Sequence, residues 1–188
     1  FPADPLNSVA IGTSPLPGFP SVQVANSFTT GATPLSLTSV EAAIGFVSGF
    51  GDASGSNLSL GLFSDASGNP GSLLVALLPS QPLIQSGLVT QTSFLPASPT
   101  ILGTNATFWV VAMGTGNSSI YTWSTVTGQG LGLGSIDGGV TWPLPATAGA
   151  MRVTADDQLA AGVPEIQPDS AAWPTLFCLA LTAVLHSR

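Results

Sequence analysis

The chain has 188 residues, of which only 6% are charged, against about 25% in typical soluble domains, and its net charge is −7. Its two basic residues are Arg152 and Arg188, so it lacks the clustered Lys and Arg that nucleic-acid binding requires, and we expect no nucleic-acid partner. The single cysteine, Cys178, and the single histidine, His186, both lie near the C-terminus. The rest of the chain therefore offers no Cys/His or Ser/His catalysis and no Cys- or His-ligated metal.

The N-terminal part divides into a proline-rich segment and the first predicted strands. Residues 1–20 contain prolines at positions 2, 5, 15, 17 and 20, which predicts an extended arm or an irregular lead-in. Apolar alternation starts at Val22 and predicts a first strand that ends near residue 30. In residues 35–46 the alternation slips by one between Leu37 and Val40, which favours a β-bulge or a change of sheet.

Residues 57–78 predict a hairpin at the centre of the fold. Leu58, Leu60 and Leu62 alternate with small or polar residues, the pattern of a strand with one buried face. A reversal rich in Gly, Asn and Pro follows at 64–71, and apolar residues resume at 73–78. Because a lone hairpin is at best marginally stable, these strands must pair into a larger sheet.

The second half predicts further strands and one glycine-rich connection. We expect strands over 88–95, 107–113, 120–126 and 150–155, and an irregular glycine-rich loop over 128–139. Residues 107–113 are apolar on both parities, which indicates a strand buried on both faces. We place Leu60, Leu62, Phe108 or Trp109, and Val111 in the core.

The spacing of these elements predicts the fold class. About eight short strands, separated by turn signals and without an amphipathic helix, are typical of an antiparallel β-sandwich or jelly roll. We assign this domain to residues 21–155. It is followed by a linker with a Pro-Glu box over 156–170 and a hydrophobic segment over 171–188.

The carboxylates of the body predict no catalytic pair. A glycosidase needs two of them facing each other across a cleft, about 5 to 10 Å apart. Asp52, Asp65 and Asp137 instead sit in Gly/Ser turns, where an Asp commonly bonds its own backbone. Oxygen ligands for Ca²⁺ could come from Asp65, Asn69 and nearby carbonyls, but their spacing matches no EF-hand loop. We therefore predict no catalytic residue, no metal site and no cofactor, and a hydrolase is a distant third hypothesis.

Residues 135–142, SIDGGVTW, fit S-x-D-x-G-x-T-W and resemble the Asp-box turn of sialidases. The resemblance implies that Asp137 organises a hairpin turn and that Trp142 packs into the sheet. Sialidases also share three arginines that bind the substrate carboxylate. The body of this chain carries only Arg152, so the resemblance does not extend to sialidase activity.

Trp123 and Trp142 are the candidate ligand-binding side chains. Both lie near glycine-rich loops, and a flat aromatic face there could stack on a sugar ring. The competing interpretation, which we favour, is that they cover an end of the sandwich.

The end of the chain carries a possible sorting motif. Val163, Pro164 and Glu165 precede an apolar run over 173–185 and the terminal Arg188. The arrangement resembles the PEP-CTERM sorting signal of Gram-negative bacteria with exosortase systems, although Ile166 replaces a proline of the family. It implies a short hydrophobic helix, a transient membrane anchor and an exosortase partner. The alternative is a C-terminal helix that docks on its own domain or between subunits.

The body resembles the R type of choice-of-anchor domains. The similarity lies in short segments, at 27–31, 37–40, 60–65, 68–74, 105–109 and 123–124. It implies an exported β-sandwich at the cell surface or in an exopolysaccharide matrix, with no catalytic residues. The leading prediction is therefore a non-enzymatic extracellular structural protein that contacts the membrane only through its C-terminal segment. Its expected partners are further copies of itself, exopolysaccharide, or both. The alternative is a carbohydrate-binding module that uses exposed aromatics.

Overall fold

The computed structural model describes residues 8–12, 21–46, 58–81, 89–114, 120–125 and 131–157. Contacts divide the chain into two units, Phe1–Gln158 and Leu159–Arg188, and all described residues belong to the first. The sorting motif of Val163, Pro164, Glu165 and Arg188 and the helix expected over 171–188 lie outside the described residues.

The described residues form strands and no helix, so the predicted all-β, antiparallel class is confirmed. The strands are β1 Ser8–Gly12, β2 Gln23–Thr29, β3 Leu35–Phe46, β4 Leu58–Asp65, β5 Pro70–Pro79, β6 Thr90–Pro96, β7 Ile101–Leu102, β8 Thr107–Gly114, β9 Ile120–Ser124, β10 Leu131–Ser135, β11 Leu144–Thr147 and β12 Met151–Asp157. In this part of the chain no helix is long and apolar enough to cross a membrane.

The strands belong to one curled sheet. Their order is β1-β9-β3-β6-β5-β4-β8-β2-β10-β11, and β7 and β12 both pair with β3. β1, at one end of this path, pairs with β9 and also reaches Val22, the residue before β2, which is the third strand from the other end. There Gly12 and Val22 each donate a backbone N–H to the other's carbonyl oxygen, both at 2.9 Å. The concave side of the sheet is thus closed around the main core.

The predicted central hairpin is confirmed and supplies part of this core. β4 and β5 pair antiparallel, with Leu60 opposite Leu77 and Leu62 opposite Val75, and all four side chains are buried. The buried apolar side chains of the inner face are Ile11, Val24, Leu37, Val40, Ala42, Ile44, Leu58, Leu60, Leu62, Val75, Leu77, Phe94, Leu102, Phe108, Val110, Ala112, Tyr121 and Trp123.

Strand β8 is buried on both faces, as its sequence predicts. Its even positions from Phe108 to Ala112 join the inner core, and Trp109 and Val111 point to the outer face. On that face they form a second cluster with Ala25, which we call the outer cluster, and partly buried apolar side chains cover it. The covering residues are Phe63, Met113, Leu133 and Trp142. The predicted core positions Leu60, Leu62, Val111 and both Phe108 and Trp109 are confirmed.

The bulge predicted in β3 is also confirmed. In the pairing with β12, Thr154 lies opposite Ser39 but Ala155 lies opposite Leu37, so Thr38 is skipped. The extra residue allows both Leu37 and Val40 to face the core although their spacing breaks the period of two.

Two sequence predictions are wrong. Residues 8–12 are part of the fold and not of an extended arm, because this proline-free stretch pairs along β9 and buries Ile11 in the core. The stretch 131–135 is a paired strand and not an irregular loop, since β10 lies between β2 and β11. Its glycines hide the pattern, and at Gly132 a Cβ would be crowded, at 3.0 Å from the carbonyl oxygens of Ala146 and Thr147.

Candidate functional site

Charged side chains of the described residues form ion pairs and hydrogen bonds at the surface of the sheet. Arg152 forms an ion pair with Glu41 at 3.3 Å, and Gln91 donates its side-chain N–H to the same carboxylate at 2.8 Å. Asp156 accepts a hydrogen bond from the hydroxyl of Thr38 at 3.1 Å. Such exposed pairs contribute at most about 1 kcal/mol each. Among the residues that the structure describes, no group of three or more His, Cys, Asp or Glu side chains could hold a metal ion.

Asp65 closes the turn of the β4–β5 hairpin. One carboxylate oxygen accepts the indole N–H of Trp109 at 2.8 Å, and both oxygens lie 3.2 Å from the backbone N–H of Gly68. The pKa of Asp65 is lowered, first by the bond from Trp109 and then by the bond from Gly68. Through these hydrogen bonds, Asp65 links Trp109 of the outer cluster to the turn of the hairpin.

Asp137 organises its turn as the Asp-box resemblance implies. Its two oxygens accept the backbone N–H of Thr141 at 2.9 Å and the Thr141 hydroxyl at 2.6 Å. The buried Ser135 hydroxyl donates to Asp137 at 2.7 Å and accepts the N–H of Gly139 at 2.8 Å. These bonds, the one from the Thr141 hydroxyl above all, hold the pKa of Asp137 far below its usual range. Gly138 and Gly139 have φ of 75° and 89°, which only glycine adopts without strain.

The two candidate stacking residues have different surroundings. Trp123 is 0% exposed, and its indole N–H donates to the carbonyl oxygen of Ala150 at 3.0 Å. It therefore presents no face to a ligand, which corrects the expectation for this residue. Trp142 follows the Asp137 turn and packs on the outer cluster, but it keeps part of its surface exposed. The structure does not bring the two indoles together into one platform.

A row of exposed apolar side chains lies on the outer face of β5 and β6. Leu73 and Leu78 are each 54% exposed, and Leu95 is 45% exposed. Leu78 lies directly opposite Leu95, and Leu73 lies over Gly61, where a Cβ would be 2.7 Å from its methyl group. With the exposed Ala76 between them, we call these four residues the leucine patch.

A groove runs between β2 and β12, where the inner core reaches the surface. One part, of about 330 Å³, is lined by Phe28, Met151 and Val153 together with Asn26, Ser27, Ala148 and Gly149. An adjoining part, of about 250 Å³, also contains Phe28 and Val153 and extends to Thr30 and Ala155. We call the continuous feature the β2–β12 groove. Its walls are core side chains left partly exposed.

Asn26 closes one end of the β2–β12 groove. Its side-chain N–H donates to the carbonyl oxygen of Gly149 at 3.2 Å, and its side-chain oxygen accepts the N–H of Gly149 at 2.9 Å. The residue is buried, and both ends of its amide are satisfied. A side-chain amide thus takes the place of a peptide group between β2 and the chain that leads into β12.

Sequence reasoning missed both surfaces. The apolar run at 73–78 gives a signal for the leucine patch, because it leaves leucines on both parities of β5. Asn26 gives no local signal, since its partner lies 123 positions away. The chain matches no model of a known protein family and no curated protein.

Proposed function

We propose that this chain is a non-enzymatic, exported structural protein whose folded unit associates with further copies of itself through the leucine patch. The observation that carries the proposal is the exposure of three leucines on one face of two adjacent strands. Contiguous apolar surface of this kind marks an interaction site more often than a random surface does.

The energy of the patch favours weak, reversible association. Fully burying a leucine side chain contributes about 1.5 to 3 kcal/mol, so the exposed half of each leucine offers roughly 1 kcal/mol. Three leucines on each of two copies offer about 6 kcal/mol before the cost of association, which is itself at least about 4 kcal/mol. We therefore expect concentration-dependent self-association and not a permanent dimer.

The charge distribution also favours association through the leucine patch. The chain carries a net charge of −7, so two copies repel each other at long range. The leucine patch has no charged residue of its own, and the chain contains no lysine that would discourage contact between sheet edges. A contact between two copies of the patch therefore brings no like charges into direct opposition.

Sedimentation velocity of the full chain across a range of concentrations tests this proposal. We expect the weight-average sedimentation coefficient to rise with concentration and the double variant Leu78→Lys/Leu95→Lys to remain monomeric. Val140→Lys is the matched control, because Val140 is 80% exposed but lies in the Asp137 turn. A double variant that keeps its far-UV circular dichroism and still associates like the wild type would overturn the proposal.

We further infer that the curled sheet packs as the two layers of a β-sandwich and that the chain is exported through the sorting motif at 163–165. The side chains of β3 and β6 and those of β4 and β8 share one inner cluster, as the two layers of a sandwich do, which supports the first inference. The motif and the terminal Arg188 support the second. Mass spectrometry of protein from its native host tests export, since an intact end at Arg188 on protein outside the membrane would contradict cleavage by a sorting protease.

Glycan binding is the second candidate function, now centred on Trp142 alone. Trp142 keeps part of its surface exposed, and its near neighbours in sequence Ile136 and Leu144 are exposed as well, so a sugar ring could reach it. Polysaccharide pull-down with Trp142→Ala and with the control Leu144→Ala distinguishes this function from association at the leucine patch. Binding that only Trp142→Ala removes would favour a carbohydrate-binding module.

A further inference from the structure

We propose that β12 pairs with β12 of a second copy of this chain, antiparallel about a two-fold axis at Thr154, so that Arg152 of each copy lies opposite Asp156 of the other. Among the described residues, β12 pairs along one edge only, with β3. Its other edge borders the β2–β12 groove from Met151 to Ala155, and no described strand pairs with it there. An open strand edge is a template for pairing with another chain.

The hydrogen-bonding phase of β12 shows which of its backbone groups point to the open edge. The carbonyl oxygen of Ala150, the residue before β12, accepts the N–H of Ala43 in β3 at 3.2 Å. Backbone groups alternate between the two edges of an antiparallel strand, so the even-numbered residues of β12 point to β3. The bulge lies in β3, so it does not interrupt this alternation in β12. The odd-numbered residues from 151 to 155 therefore point their N–H and C=O groups to the open edge.

Charge selects one register for two antiparallel copies of β12. The phase requires odd-numbered residues to lie opposite odd-numbered residues. Of the registers that meet this requirement, those centred on Arg152 or on Asp156 place like charges directly opposite each other. Those centred on Val153 or Ala155 place no charge opposite a charge. The register centred on Thr154 places Arg152 opposite Asp156 twice, and unlike charges directly opposite each other stabilise a strand pair.

The side chains concerned also lie on the face where they can meet. Arg152, Thr154 and Asp156 are all on the exposed face of β12. In the register centred on Thr154 they form the non-hydrogen-bonded pairs, in which opposite side chains come closer than in hydrogen-bonded pairs. The hydrogen-bonding phase and the charges of the strand thus favour the same register.

The neighbours of these side chains in β3 are compatible with the contact. Arg152 forms its ion pair with Glu41 at 3.3 Å, and a guanidinium has several N–H donors, so it can bind a carboxylate on each side. Asp156 accepts the Thr38 hydroxyl through one oxygen at 3.1 Å, and a carboxylate accepts through both oxygens. Pairing of β12 with its copy therefore produces a row of Glu41, Arg152, Asp156 and Thr38 that crosses from one copy to the other.

The inner face of the strand pair is mainly apolar. Met151, Val153 and Ala155 are partly buried and pack against the main core. In the proposed register Val153 lies opposite Ala155 of the second copy, so the pairing covers apolar surface beside the groove. Asp157, at the end of the strand, lies opposite Met151 and so opposite no charge.

This contact is separate from the leucine patch and does not depend on it. The patch lies on β5 and β6, so each copy has two different surfaces for self-association. Exposed ion pairs contribute little and association itself is costly, so we expect the β12 pair to be too weak to populate in dilute solution. In an assembly that the leucine patch holds together, the local concentration of copies is high, and the β12 contact extends the assembly into an open chain.

Disulfide trapping of the full chain tests the register. The background carries Cys178→Ser, which removes the native thiol, and Leu78→Lys/Leu95→Lys, which disables the leucine patch, so the result is independent of the proposed function. Thr154→Cys places two thiols opposite each other across the axis, where the Cα atoms are about 4.5 Å apart and can be bridged. We expect its disulfide dimer to form at least about tenfold faster than that of Ser98→Cys, an exposed position between β6 and β7. Equal rates would overturn the proposal.

Charge variants make the test specific for Arg152 opposite Asp156. In the Thr154→Cys protein, Asp156→Arg places like charges opposite each other at both positions and should slow disulfide formation by about tenfold. Asp157→Arg makes the same change of charge one residue along, opposite Met151, and should not slow it. Equal rates for these two variants would contradict the register.

Mixing two variants separates the charge pairs from effects on folding. Arg152→Asp also places like charges opposite each other in its own dimer, but a dimer of Arg152→Asp with Asp156→Arg has unlike charges at both positions. Mixed disulfide dimers should therefore form faster than the dimers of either variant alone, and a statistical distribution would overturn the proposal. If Arg152→Asp does not fold, the two arginine variants decide. Amides of Val153 and Ala155 that are already protected from hydrogen exchange in the monomer would also overturn it, because residues of the same chain would then cover the edge.

Discussion

The outer faces of β8 and β5 start from similar sequences and end in different environments. Both strands carry apolar residues on both parities, so each has large side chains pointing away from the inner core. On β8 the outward Trp109 is 3% exposed, whereas on β5 the outward Leu73 and Leu78 are each 54% exposed. The difference therefore does not arise from the hydrophobicity of the two strands.

What distinguishes the two faces is a cover from a distant part of the chain. β10 adds Leu133 beside β2, and the Asp137 turn that follows delivers Trp142 onto the outer cluster. Over β5 and β6 the described residues supply no comparable cover, and the leucine patch remains exposed. An apolar outer face thus becomes core or interaction surface according to which loop reaches it.

The largest effect is expected from truncation of the covered face. Trp109→Ala should lower the free energy of unfolding by about 3 to 5 kcal/mol, because it leaves a cavity under Trp142 and removes the N–H donor of Asp65. Leu73→Ala is the matched change on the uncovered face and should cost less than about 1 kcal/mol. Urea unfolding monitored by circular dichroism measures both, and equal losses would show that the two faces are covered alike.

The sequence alone predicts the features that depend on neighbouring residues and neighbouring strands. The alternation of Leu58, Leu60 and Leu62, the double-sided run in β8 and the slip after Leu37 reflect contacts between neighbouring strands, and each predicts its element. The Asp137 turn is also readable, because its bonds join residues no more than four positions apart.

The features that depend on contacts between distant parts of the chain could not be predicted from the sequence. Trp123 and Trp142 have similar glycine-rich neighbours, yet one is fully buried and the other is partly exposed. β10 is concealed by its glycines, and β1 by the prolines around it. The bonds between Asn26 and Gly149, and with them the groove, depend on two strands that come together only in the closed sheet.

An intermediate effect is expected from the turn that carries the cover. Asp137→Asn should lower the free energy of unfolding at pH 7, by less than Trp109→Ala, because the charged oxygens no longer accept the two bonds from Thr141. The pKa of Asp137 is lower in the folded than in the unfolded chain, so its contribution is present above about pH 4 and is lost as the pH falls through the folded pKa.

Thermal melting of both proteins from pH 7 down to pH 2 measures this dependence. We expect the wild type and Asp137→Asn to differ most at pH 7 and to converge in acid. Asp156→Asn, which changes an exposed carboxylate that accepts a hydrogen bond from the Thr38 hydroxyl, serves as the control and should track the wild type. A constant difference between Asp137→Asn and the wild type across the range would exclude the ionised carboxylate as the cause.

The smallest effect is expected where the outer face has no cover. Leu78→Ser exchanges a half-exposed apolar side chain for a polar one, so in dilute solution the free energy of unfolding should change by no more than about 0.5 kcal/mol. The same measurement at high protein concentration sharpens the comparison, because association through the leucine patch stabilises the folded wild type by mass action but not the variant. If the difference in the free energy of unfolding between the wild type and Leu78→Ser increases with protein concentration, a second copy covers the outer face of β5. A large loss already present in dilute solution would instead mean that residues of the same chain cover the patch, and the contrast with β8 would disappear.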